Sequence, residues 1–136
     1  MPARNVYEYA VVRVVPRVDR EEFLNAGVVL FCKASRFLAL RWQIDDARLA
    51  AFAPGVDGGA VRDQLAAMAL VCGGDPEAGE LALLTQAERF RWVTAPRSTI
   101  VQPSPVHPGE CLDPSAELDA LVARLVTPPH AEPGER

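Results

Sequence analysis

GVVLFCKASRFLALRWQI, residues Gly27 to Ile44, is the stretch on which the fold turns. In its second half Leu38, Leu40, Trp42 and Ile44 fall on one side of an alternating pattern and Arg41 and Gln43 on the other, the period of a half-buried strand. Its first half, Val28 to Lys33, is apolar on both alternating faces, as in a strand covered on both sides. A short polar link through Ala34 and Ser35 joins the halves, so the stretch predicts an antiparallel hairpin.

Upstream, VYEYAVVRVV (Val6 to Val15) is rich in aromatic and β-branched residues and stops at Pro16. Both of its faces are also largely apolar, which predicts a central strand. Arg13 interrupts the face shared by Tyr7, Tyr9, Val11 and Val15. A guanidinium there needs either an exit to solvent at the rim of the sheet or a carboxylate or ligand to meet it. Asp19 to Asn25, which carries Glu22 and Asn25, reads as a short helical turn or an ordered loop before Gly27 opens the next strand.

Downstream the pattern becomes helical. Asp45 or Asp46 caps a short helix ending near Phe52, and Pro54-Gly55 breaks it. A longer helix starts at Asp57 or Gly58, with Val61, Leu65, Met68 and Cys72 at helical spacing and Gly73-Gly74 as its stop. Asp75 to Gly79 reads as loop with at most one helical turn. Thr85 and Glu88 have the capping-box spacing, and the helix they start ends before Pro96. Asp113-Pro114 caps and opens a terminal amphipathic helix with a stripe of Leu118, Leu121, Val122, Leu125 and Val126. The order predicts one α+β domain over residues 1–127, a small, mostly antiparallel sheet packed against helices. Residues 128–136, with nothing apolar enough to anchor them, are expected to form a flexible tail in which His130 has no function.

Between those helices runs TAPRSTIVQPSPVHPG, Thr94 to Gly109, with four prolines in sixteen residues. Proline removes backbone donors and holds the preceding residue extended, so this segment is expected to be a stiff ribbon unable to form a full ladder, with Ser98 to Gln102 extended. Arg97, Ser98, Thr99, Gln102 and His107 then have two readings. They tie an irregular segment down, or they present polar groups to a ligand or partner at low entropic cost. On the second reading Arg97 with Ser98 and Thr99 suits an anion, Gln102 and His107 orient the rest, and Arg13, Glu22 and Asn25 converge from the first strand and the loop after it.

Several classes are excluded or disfavoured. At 136 residues there is room for one core. A formal charge of -4 with scattered arginines argues against a general nucleic-acid binder, although Arg89, Arg91 and Arg97 surround Phe90 and Trp92 as a base-stacking site would. No window reaches the roughly 18 apolar residues of a membrane span, and no leader pattern opens the chain, so a cytoplasmic protein is expected. Three distant cysteines, Cys32, Cys72 and Cys111, give no paired motif; the first two read as buried hydrophobes. His107 and Cys111 supply two metal ligands where zinc wants three or four, so no metal and no cofactor are expected. No nucleophile-elbow, phosphate-loop or dinucleotide motif occurs.

EFLNAGVVLFC after the aromatic first strand, and RFRWVTAPRSTIVQPSPVHPG followed by DPSAELDALVARLV, resemble the bacterial family called domain of unknown function 3037, from Tyr7 to about Val126. The resemblance implies no activity, substrate or catalytic residue. It implies a partner or a shared pathway with a kinase-like protein of the HipA type. The residues and the resemblance together lead to two expectations. One is a non-enzymatic binding or adaptor protein with the Arg97 to His107 ribbon at or near the contact. The other is a small hydrolase or nucleotide-handling enzyme with Arg13, Glu22, Arg97 and His107 around one anion.

Overall fold

The computed structural model describes residues 4–129. The expected hairpin is there as β2 (Leu24–Cys32) and β3 (Phe37–Trp42), joined by a turn over residues 33–36. The first strand, β1 (Asn5–Val14), lies beside β2 and is central, as its two apolar faces require. On its other side run β4 (Val101–Pro103) and β5 (His107–Cys111). β4 pairs with Val12 to Val14 and β5 with Asn5 to Tyr9, so the two form a single interrupted edge and all pairings in the sheet are antiparallel.

That edge corrects the expectation of a ribbon extended from Ser98 to Gln102. Residues 96–100 are irregular, and the ladder starts at Val101 and resumes at His107. Pro103 and Pro108 sit opposite Val12 and Glu8, where a missing N–H faces outward and costs the sheet nothing. At the break Ser104 replaces the ladder: its backbone N–H donates to Val11 O at 2.7 Å, and its hydroxyl accepts from Val11 N at 2.8 Å.

β2 begins earlier than the sequence suggested, at Leu24 instead of Val28. Val12 lies opposite Gly27 and Arg13 opposite Asn25, so Ala26 is an extra residue and the strand carries a bulge. The bulge reverses the alternation that a sequence pattern relies on, and glycine at its centre reads as a strand start. Gly27 is required there, since a β-carbon would come within 2.9 Å of Arg41 O.

The helices start where their caps predict. Asp45, Asp57, Thr85 and Asp113 accept backbone N–H bonds at the starts of α1 (Asp46–Phe52), α2 (Gly58–Gly73), α3 (Gln86–Thr94) and α4 (Pro114–Leu125). Thr85 and Glu88 complete the capping box. The loop after α2 holds more structure than expected, 3-10 turns over Pro76–Leu83. Leu49, Leu65, Met68, Phe90 and Val93, from the first three helices, cover one face of the sheet with Ala10, Val12, Val14, Val29, Leu38, Leu40 and Val101. On the opposite face α4 packs Leu118 and Leu121 against Tyr7, Val28, Leu30, Cys32 and Cys111. The protein is therefore a three-layer α+β domain in which, among the described residues, α4 is the helix on the second face. Of the expected tail, Pro128 lies beside Asp45 and Arg48; residues 130–136 lie outside the described residues.

Candidate functional site

α4 is anchored at both ends. Near its start Tyr7 Oη donates to Glu117 Oε2 at 2.5 Å, and at its last turn Asn25 Nδ2 donates to Leu125 O at 3.0 Å. Burial, then the hydrogen bond and charge of Glu117, hold the Tyr7 hydroxyl protonated well above the ordinary tyrosine range. α4 packs mainly on β2 and β3 and reaches β1 and β5 through Tyr7 and Cys111, so among the described residues it leaves the β1 and β4 side of the second face less covered.

On that open side register brings four expected residues into one area. Asn25, Arg13 and Gln102 stand opposite one another in a row across β2, β1 and β4. His107 stands opposite Tyr9, their rings 5.4 Å apart, four residues back along β1 or about 13 Å. Phe23, which the sequence reading passed over, lies under Arg13 with the guanidinium carbon 3.9 Å from its ring centroid, and the ring remains 44% exposed. The bulge in β2 places Asn25 on this face. Without it Asn25 would point to the other side.

Arg13 is the anomaly of the site. Among the described residues it has no carboxylate within ion-pair reach and makes no hydrogen bond, and its Nε is shielded from solvent with no partner. Asn25 Oδ1, opposite, is equally unused. Burial alone lowers the Arg13 pKa from the ordinary arginine value, with no counter-charge acting the other way. The arginine thus neither emerges freely at the rim nor meets a carboxylate. It is laid on an aromatic ring and left uncompensated.

The other expected residues lie elsewhere. Arg97 is on the helix-covered side of the sheet, where Nη2 donates to Trp92 O at 2.6 Å and Val93 O at 3.3 Å and the guanidinium stacks on Trp92 at 4.9 Å. With Thr99 it borders a groove of about 450 Å³ between α2 and α3 that includes Met68, Val71 and Leu81. Thr99 donates to Val101 O and Gln102 Nε2 to Thr99 O, and Ser98 is exposed. Most of the ribbon's polar groups are therefore tied to nearby main chain, the first of the two readings. Glu22 pairs with Arg20 and lines a separate cleft of about 380 Å³ with Arg17, Phe52 and Pro54. Arg13, Glu22, Arg97 and His107 do not surround one anion.

The structure also bears on the arginine cluster and on the cysteines. Arg89 and Phe90 are buried and Arg97 is committed to carbonyls, so the arginines around Trp92 do not form an open stacking platform. Cys111 is buried along with Cys32 and Cys72, and the Cys72 thiol is pushed up to about 12 by burial, against the opposing charge of Arg89. Among the described residues no group of three or more metal-ligating side chains assembles, and no helix is long and apolar enough to cross a membrane.

Fold and site define a three-layer α+β domain with one face of its sheet partly uncovered by helix among the described residues. A family model matches residues 9–126, and the chain belongs to that family, described as Protein of unknown function (DUF3037). No curated protein and no solved structure matches it.

Proposed function

We propose that this is a cytoplasmic, non-enzymatic binding or adaptor protein, and that its contact surface is the open part of the second sheet face around Arg13, Phe23, Gln102 and His107. The observation that carries this reading is Arg13 stacked on a half-exposed Phe23 with no acceptor of its own. A guanidinium with an unpartnered Nε, held on a half-exposed ring, is suited to an interface, where arginine and aromatic side chains supply much of the energy. The ribbon contributes two of these residues, Gln102 and His107, and its Arg97 end serves α3 instead.

The family resemblance names the first partner to test, a kinase-like protein of the HipA type. Calorimetric titration of the two purified proteins is expected to give a saturable complex, weakened by Phe23→Ser and by Arg13→Gln and unchanged by Trp92→Ser in the groove on the other side. Full binding by the first two variants together with loss in the third would move the contact surface to that groove. The hydrolase or nucleotide-handling alternative draws no support from the geometry, because its four residues occupy separate places.

A further inference from the structure

Resting on the contact-face reading, we infer that the open face receives a carboxylate-bearing segment of the partner protein, with Arg13 as the residue that selects it. The guanidinium is held in place: its Cα sits between Asn25 and Gln102 in register, and Phe23 supports it from below at 3.9 Å. Arg41 and Arg62, by contrast, already have their carboxylates, Asp119 at 2.6 Å and Asp46 at 2.7 Å. Arg13 has none among the described residues, and its Nε is already shielded, so the two terminal nitrogens are the ones left for an incoming pair of oxygens.

Charge points the same way. The chain carries 18 acidic residues against 14 basic ones, yet Tyr9, Val11, Arg13, Phe23, Gln102 and His107 include no carboxylate. The amides beside Arg13 refine the choice of anion. Gln102 commits one of its two amide N–H bonds to Thr99 O and Asn25 one of its own to Leu125 O, which leaves each with a carbonyl oxygen and a second N–H for the main chain that bears the anion. A phosphate carries close to two charges and would meet one cation here. A carboxylate takes the fork with two oxygens, and Gln102 can accept an N–H of the chain that bears it.

The test follows the side-chain Nε–H resonance of Arg13 and the amide of Gln102 by two-dimensional NMR of the full chain. The probes are a blocked peptide Ala-Val-Glu-Val-Ala, its Gln counterpart and oligothymidylate. The Glu peptide is expected to shift Arg13 saturably and to bind about tenfold more tightly than the Gln peptide, the worth of one charge-assisted pair. Arg13→Gln should abolish the preference with the rest of the spectrum unchanged, and Arg13→Lys should keep part of it, since lysine retains charge without the fork. Equal binding of both peptides at this face would overturn the carboxylate assignment and leave the contact face standing. Stronger binding of oligothymidylate at Arg13 would replace the carboxylate with phosphate. Shifts confined to other surfaces would remove both readings.

Discussion

Two arginines withdrawn from solvent show how differently one fold treats the same group. Arg89, 9% exposed, lies between α2 and α3 and donates to Val71 O, Cys72 O and Leu84 O. The first two are carbonyls at the C-terminal end of α2, where a cation is favoured by the unsatisfied carbonyls and the helix dipole. Arg13 has an aromatic ring beneath it and no acceptor. The first arginine closes a helix end and belongs to the architecture. The second has a ring contact but no hydrogen bond or ion pair within the described fold, which is the physical ground for proposing that it serves binding.

The comparison breaks most readily at Arg89. Arg89→Met leaves Cys72 O and Leu84 O without their side-chain donor and Val71 O with the Gly74 N–H alone, and is expected to cost on the order of 3 kcal/mol in urea denaturation. A loss under about 1 kcal/mol would mean that those carbonyls find water and that the two arginines are not distinct. Gly74→Ala probes the same junction from outside. Gly74 has φ of 65° and a β-carbon there would lie 2.8 Å from Arg89 Nη1, so the substitution strains the backbone and displaces the guanidinium. Its expected cost is about 1–3 kcal/mol in the same measurement.

Next in size is the tie near the start of α4. Tyr7→Phe removes the bond to Glu117 and is expected to cost about 1 kcal/mol near neutral pH. The same bond has a pH signature. Tyr7 is held protonated in the fold, whereas in the unfolded chain it ionises near the ordinary value of about 10. The native state then binds more protons than the unfolded one, so stability is fully present below that pH and falls as pH rises through and beyond it. Denaturation midpoints across pH 9 to 11 should show the decline in wild type and a shallower one in Tyr7→Phe.

The smallest expected effect is at Arg13. Arg13→Leu removes an uncompensated charge from a partly buried position and keeps contact with Phe23, so stability should stay within about 1 kcal/mol of wild type or rise. Partner binding should fall at the same time. A destabilisation as large as that of Arg89→Met would show Arg13 to be architectural after all.

Much of the architecture was legible because it rests on local rules. The caps at Asp45, Asp57, Thr85 and Asp113, the doubly apolar β1 and the stripe on α4 each follow from a few neighbouring residues. What escaped depends on partners distant in sequence. The bulge at Ala26 exists only relative to β1, β5 pairs across a hundred residues despite Pro108, and Arg89 looked like one surface charge among several until α2 placed its carbonyls beside it. Of the site, Arg13 stood out from its face alone, and Gln102 and His107 from their composition. Phe23 was missed although it precedes β2 by one residue, because an aromatic in an acidic loop gives no sign of which side chain it will support.

The interrupted edge has a consequence for how this molecule can associate. Pro103 and Pro108 offer no amide hydrogen, and Ser104 turns its hydroxyl back toward Val11. A sheet that grows by adding strands needs an unbroken row of donors and acceptors along its border, and here that row is interrupted. Growth into fibrils or ribbons is disfavoured along this border, which leaves β3 as the edge with an uninterrupted backbone.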